Sequence, residues 1–96
     1  MSSKVIAIQY RLAAMQGDLE AQFILGSMHE TGDGIPQNTL RAYVWFSIAA
    51  AQAINLDYLK ARNAKDRISE TLTPDQLARG QDMATRCFES DFQDCD

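Results

Sequence analysis

The chain has 96 residues, of which 46% are hydrophobic and only two are prolines, and this composition favours one small folded domain over a disordered segment. The formal net charge of −4 argues against a nucleic-acid partner or an anionic membrane surface, since little positive charge is available to neutralise phosphates. No apolar run reaches the ~18 residues of a membrane-spanning helix, so we expect no membrane insertion.

The N-terminal apolar stretch starts at Val5, is four residues long and stops at the polar Gln9. It is shorter than the apolar region of a secretion signal. We therefore expect a cytoplasmic location, or a periplasmic or secreted one if the chain is a processed fragment of an exported protein.

Helix patterns separated by stop signals fill the chain, whereas sustained strand patterns are absent from the sequence. The first predicted helix covers roughly residues 3–16 and ends at Gly17, a residue suited to the left-handed conformation that follows a helix. Asp18 then stands where an N-cap belongs, and the second predicted helix runs to about Thr31. Gly-Asp-Gly follows and is predicted to turn the chain back, because glycine readily adopts positive φ.

The third predicted helix is capped by Asn38 and extends to about Gln52. The fourth covers roughly residues 55–71 and carries a weaker apolar stripe. Its basic side chains are interpreted as a solvated helix face, with a site for an acidic peptide as the alternative. These side chains are Lys60, Arg62, Lys65 and Arg67.

The fifth predicted helix has the clearest start in the sequence. Thr73 is suited to cap it, Pro74 suits the first helical position, and Gln76 can reach back to complete a capping box. Residues 89–96 carry four acidic residues and no basic one, and this acidic tail is predicted to fray.

The chain repeats itself when it is shifted by 36 residues, which places the first predicted helix on the third. Nearly every matched pair keeps its size class and its polarity. The pairs include Tyr10 with Phe46, Leu12 with Ile48, Ala13 with Ala49 and Gln16 with Gln52. A helix–turn–helix unit repeated at roughly 30–40 residues is typical of an α-solenoid.

Residues 21–53 carry a specific pattern of small, apolar and glycine positions. The pattern consists of Ala21, Leu25-Gly26, His29, Gly32, Gly34-Ile35, Ala42, Trp45-Phe46 and Ala49-Ala50. It resembles the Sel1-like repeats, relatives of the tetratricopeptide repeats, with His29 in place of the usual Tyr and Ala53 where Gly commonly ends the unit.

The resemblance implies an all-α fold, a short α/α solenoid of about five antiparallel helices forming one domain over residues 1–96. Within it, residues 3–17 look like the closing helix of a partial repeat and residues 18–53 like a full repeat. Residues 54–88 are similar to the helical pair that often caps such arrays, and residues 89–96 form the acidic tail.

Small residues inside the predicted helices indicate that the helix axes approach closely. Gly26 is the clearest case, because glycine in a helix destabilises by up to about 1 kcal/mol relative to alanine. We expect it to be retained because a side chain there would collide with the neighbouring helix. Leucine at Gly26 or at Ala49 should therefore destabilise the fold strongly.

The resemblance further implies a non-catalytic adaptor or scaffold, as in bacterial signalling, envelope assembly or host interaction, that binds a protein or peptide partner. On the geometry of the family, exposed positions of the first helix of each pair line the concave binding side. In this chain those positions are Gln22, Ile24, Ser27 and Glu30.

Cys87 and Cys95 are eight positions apart, or about 12 Å along one continuous helix, whereas the Cα atoms of a disulfide lie roughly 4.4–6.8 Å apart. A disulfide therefore requires the chain to turn between them, for which Ser90 and Asp91 are suited. The alternative is two free thiols, one on a helix and one in the tail. Two cysteines and a remote histidine do not make a zinc site, so we expect no metal and no cofactor.

Little in the sequence indicates catalysis. His29 is the only histidine and is interpreted as a packing substitute for an aromatic residue, and no serine is followed by lysine in a Ser-x-x-Lys motif. We expect no enzyme activity. The alternative is a ligand-binding or hydrolytic protein acting on cell-wall or β-lactam compounds, since the cysteine spacing resembles that of cysteine-bearing relatives of the family. A homodimer through the open ends of the solenoid is a third hypothesis.

Overall fold

The structure is a computed structural model that describes residues 2–96, and these residues form five α-helices and no strand. The helices are α1 (Ser3–Met15), α2 (Leu19–Thr31), α3 (Thr39–Gln52), α4 (Asn55–Ser69) and α5 (Pro74–Glu89). The predicted class, a short all-α solenoid, is confirmed. None of these helices combines the length and the apolar character of a segment that crosses a bilayer.

Three of the helices, α2, α3 and α5, begin at the predicted capping residues. The Asp18 carboxylate accepts a hydrogen bond from the backbone N–H of Ala21 at 2.8 Å, and the Asn38 side chain accepts one from the N–H of Arg41 at 3.0 Å. A capping box at Thr73 opens α5, as predicted. Each cap satisfies a backbone donor that the first turn of a helix leaves unpaired.

Glycines turn the chain between α2 and α3. Gly32 has a φ of 79° and Gly34 a φ of 81°, both in the left-handed region that glycine occupies without strain. A Cβ on Gly34 would also collide with the backbone carbonyl of Ser3 at the start of α1. The predicted turn is therefore confirmed, and it lies directly against the first helix.

The helix α3 is the centre of the molecule and packs against α2, α4 and α5. Its two large aromatic side chains are almost fully buried, with Trp45 1% and Phe46 0% exposed. A Cβ added to Gly26 of α2 would lie only 2.8 Å from the Phe46 ring, so the predicted close approach of the two helices is confirmed. A second close approach, which was not predicted from the sequence, brings Gly80 of α5 against the ring of Tyr43, where an added Cβ would also lie at 2.8 Å.

The prediction that residues 89–96 fray is wrong. The chain turns after α5 through Asp91 and Phe92, whose φ angles are 53° and 67°, and returns to bury Cys95, which is 5% exposed. Burial of Cys95 in the same core cluster as Trp45 holds the segment against the helices. The prediction rested on the acidic composition of the segment. The segment is held instead by Cys95, whose side chain is buried in the core. The helices α4 and α5 each pack against α3. The assignment of residues 54–88 to a capping pair stays a prediction.

Candidate functional site

Gln22, predicted to lie on the exposed binding side, is instead buried and 0% exposed. Its side-chain amide donates a hydrogen bond to the carbonyl of Ala14 at 3.1 Å, and its amide oxygen accepts one from the side chain of Gln52. Gln22 therefore links α1, α2 and α3 and has no free surface for a partner. The prediction failed because both hydrogen-bond partners lie on neighbouring helices.

Ile24 lines an open groove between α2 and α4, which we call the α2–α4 groove. It has a volume of about 390 Å³ and is lined by Leu19, Glu20, Phe23 and Ile24 of α2, Ala49 of α3, and Asp57, Lys60 and Ala61 of α4. The Lys60 ammonium lies 4.4 Å from the centroid of the Phe23 ring, within the range of a cation–π interaction. The groove therefore combines apolar side chains with charges of both signs.

Ser27 and Glu30, also predicted to contact a partner, are partly engaged within the chain. The Ser27 hydroxyl donates to the backbone carbonyl of Phe23 at 3.2 Å. The two carboxylate oxygens of Glu30 both accept a hydrogen bond from one nitrogen of Arg67, Nη2, at 2.7 and 2.8 Å. This charged pair joins α2 to α4 beyond the groove and leaves Glu30 less available for a partner.

The contribution of α4 to the groove, made by Asp57 and Lys60, was not predicted from the sequence. The basic cluster on α4 was the available signal, but it was interpreted as a solvated face. Arg62 fits that interpretation, since its guanidinium is exposed and lies 3.8 Å from the Asp66 carboxylate on the same helix. Lys60 is exposed as well, and its ammonium also contacts the ring of Phe23.

His29 is 4% exposed, and this burial agrees with its predicted role as a packing residue in the interior. Neither of its ring nitrogens has a hydrogen-bond partner among residues 2–96. Burial, together with the positive charges of Arg41 and Arg11, lowers the pKa of His29 from 6.5 to about 4, which outweighs the opposing effect of Asp96. The imidazole is therefore neutral at pH 7, with one donor and one acceptor nitrogen unpaired.

The ring of His29 borders a second cavity, which we call the His29 cavity, with a volume of about 160 Å³. Its lining residues are Ala7, Ile8 and Arg11 of α1, Leu25 and His29 of α2, Ile35, Pro36 and Asn38 of the link, and Arg41 of α3. Two arginines and the buried His29 thus line a small space whose other walls are largely apolar.

Asp96 contacts both arginines of the His29 cavity. Its carboxylate accepts a hydrogen bond from Arg11, and its second oxygen lies 3.7 Å from Nε of Arg41. Burial raises the pKa of Asp96. The hydrogen bond from Arg11 and the charges of both arginines lower it by more, so the pKa lies below its usual value of 3.8. Asp96 is therefore ionised at neutral pH and offsets one of the two positive charges.

Cys87 and Cys95 are joined as a disulfide, with their Cα atoms 4.3 Å apart. The disulfide requires the chain to turn after α5, and it does so at the predicted residues: Ser90 is the C-cap of α5, and Asp91 has a positive φ of 53°. Cys87 is 0% exposed, and the disulfide ties the segment that carries Asp96 to α5. No group of three His, Cys, Asp or Glu side chains within the described part of the chain is arranged to hold a metal ion.

Comparison with known families agrees with the helical pairing seen in the structure. The Sel1 repeat model matches residues 9–18, in the second half of α1 and the turn after it, and residues 19–53, which span α2, the glycine link and α3. Neither a search of curated proteins nor a search of solved structures found a match. Residues 9–53, which include the full unit from α2 to α3, therefore match the Sel1 repeat, and the predicted resemblance to the Sel1-like repeats is confirmed over this part of the chain.

Proposed function

We propose that this chain is a non-catalytic interaction module that binds a peptide segment of a protein partner in the α2–α4 groove. Sel1 repeats generally mediate protein–protein interactions, and their helical fold is typically non-catalytic. The observation that carries the proposal for this chain is the half-buried Ile24, an apolar side chain that lines an open groove rather than the core.

The size and chemistry of the groove indicate what it would bind. Its volume of about 390 Å³ lies within the roughly 300–1,000 Å³ of typical ligand sites. Phe23 and Ile24 offer an apolar contact for one anchoring side chain of the peptide. Glu20 and Asp57 place two carboxylates beside the single ammonium of Lys60, so the best partner carries a basic residue next to its apolar anchor.

Selection from a random peptide library on the purified chain tests this proposal. We expect enriched peptides that pair an apolar with a basic residue, and calorimetry should show that Ile24→Asp weakens their binding about tenfold or more, because it places a charge in the apolar contact. Leu12→Asp is the matched control, since Leu12 is an exposed apolar residue on α1, 56% exposed and outside the groove. Equal binding by wild-type and Ile24→Asp chains would overturn the proposal.

The hydrolytic alternative requires a nucleophile next to a base. His29 is the only histidine, and neither ring nitrogen is hydrogen-bonded to a hydroxyl, thiol or carboxylate of residues 2–96. We therefore expect no turnover of a chromogenic β-lactam or of simple ester substrates by the purified chain. Turnover that disappears in His29→Gln would favour the alternative over an interaction module.

A further inference from the structure

We propose that the His29 cavity is a binding site for a carboxylate group, with Arg11, His29 and Arg41 as its ligands, and that Asp96 competes for the same arginines in the unbound chain. The inference deepens the proposed function and rests on it in one respect, namely that the carboxylate belongs to an acidic side chain of the partner. The site itself follows from the geometry of the cavity and stands apart from the α2–α4 groove.

The first observation is the unpaired imidazole. Buried polar groups in folded proteins almost always have a hydrogen-bond partner, and each exception calls for a physical reason. Both ring nitrogens of His29 lack one, although the ring is 4% exposed and borders a cavity. A neutral imidazole has one N–H. Both ring nitrogens of His29 are enclosed, so the side chains around them must move before a carboxylate oxygen in the cavity can accept a hydrogen bond from that N–H.

The second observation is the excess of positive charge. Arg11 and Arg41 bring two guanidinium groups to the cavity, and Asp96 offsets one of them. The distance of 3.7 Å from Nε of Arg41 to the Asp96 carboxylate is longer than a hydrogen bond, so the donors of Arg41 are not fully used by Asp96. A second carboxylate would balance the remaining charge and could pair with the planar guanidinium in a bidentate manner.

The third observation is the size of the space. At about 160 Å³ the cavity is smaller than the roughly 300 Å³ at which small-molecule sites begin, and it suits a group of side-chain size. Ala7, Leu25 and Ile35 supply apolar walls for the methylene groups of such a side chain. A short aliphatic carboxylate or the side chain of a glutamate or aspartate combines these features.

The experiment is an NMR titration of the full chain with sodium butyrate, which follows the ring resonances of His29 at constant ionic strength. We expect saturable shifts in the wild-type chain. Asp96→Asn should tighten butyrate binding about fivefold, since it removes a competing charge worth up to about 1 kcal/mol at an exposed pair. Arg41→Gln should weaken it about tenfold, because a hydrogen bond to a charged group is lost.

Arg62→Gln is the matched control, since it removes the same charge from an exposed arginine whose partner is Asp66 on its own helix. Equal effects of Arg62→Gln and Arg41→Gln would show that butyrate responds only to overall charge and would overturn the site. Identical His29 shifts on adding the same concentration of sodium chloride, or the absence of saturable shifts, would overturn it as well. Circular dichroism of each variant confirms that the helices are retained.

A second titration identifies the source of the carboxylate. The peptides N-acetyl-Gly-Glu-Gly-amide and N-acetyl-Gly-Gln-Gly-amide differ only in the charged group. Shifts of His29 with the glutamate peptide alone support an acidic residue of the partner as the occupant. Binding of butyrate without binding of the glutamate peptide overturns that assignment and leaves a site for free carboxylates. The peptide selection on the α2–α4 groove is read independently, so failure of one proposal does not imply failure of the other.

Discussion

The helices α1 and α3 match each other in sequence at a shift of 36 residues, yet the structure buries them very differently. Leu12 of α1 is 56% exposed, whereas its counterpart Ile48 of α3 is 2% exposed. Ile8 is 52% exposed and its counterpart Val44 0%. The difference lies in the neighbours, because α3 packs against α2, α4 and α5, whereas α1 packs mainly against α2. A repeat pattern therefore predicts the helix, but the number of neighbouring helices decides how much of it is buried.

The helix α1 therefore keeps an apolar face that α3 does not have. Val5, Ile8 and Leu12 recur at helical spacing and are each more than two-fifths exposed. In a solenoid, such a face is covered by the next unit along the array. The hypothesis of a homodimer through this open end stays a prediction, which sedimentation over a concentration series would test.

The largest effect is expected where α2 meets α3. Gly26→Leu should lower the free energy of unfolding by about 4 kcal/mol, above the usual 1–3 for overpacking, because even a Cβ at this position would lie 2.8 Å from the Phe46 ring. Ala49→Leu on α3 should act in the same direction, since Ala49 is 0% exposed. Urea denaturation measures both.

The control for Ala49→Leu is the matched position on α1. Ala13→Leu should change the free energy of unfolding by less than about 1 kcal/mol, because Ala13 is only partly buried. If Ala49→Leu proved as mild as Ala13→Leu, the close packing around α3 would be wrong.

The matched apolar pair gives the second prediction. Ile48→Ala should destabilise the chain by about 3 kcal/mol through the cavity that it leaves in the core. Leu12→Ala removes a side chain of the same size from the exposed face of α1 and should cost less than about 1 kcal/mol. Thermal or urea unfolding of the two variants measures the contrast, and equal losses would mean that α1 is covered as fully as α3.

The third and smallest effect concerns His29, where side chains of α1 and α3 both approach α2. Its pKa of about 4 lies below the 6.5 expected in the unfolded chain, so the unfolded state binds the proton more readily. The contribution of His29 to stability should be constant above pH 7 and fall by at most about 3 kcal/mol as the pH decreases from 6.5 to 4.

Urea denaturation as a function of pH measures this slope, and His29→Phe should remove most of it between pH 6.5 and 4. Asp96 acts in a lower range, because its pKa is lowered from the ordinary value and its contribution is lost only as the pH falls through this lowered pKa. An NMR titration that gave His29 a pKa near 6.5 would show that α1 does not close over the ring.

The helices could be predicted from local signals, because a cap such as Asp18 or Asn38 depends on residues three positions away. The close approach at Gly26 could also be predicted, since glycine destabilises a helix and is kept there where a neighbouring element leaves no room for a side chain. Gln22 could not, because its burial depends on Gln52, 30 residues away in the chain. The contact of Arg11 with Asp96 joins residues 85 positions apart, and no local pattern indicates it.

Native-state hydrogen exchange of the backbone amides tests the central claim most directly, namely that α3 is the enclosed scaffold against which the other helices pack. We predict that the amides of α3 around Trp45 and Phe46 exchange only on global unfolding, and that those of α1 around Ile8 and Leu12 exchange through local opening at a distinctly lower free energy. Equal protection of α1 and α3, or faster exchange in α3, would contradict this claim.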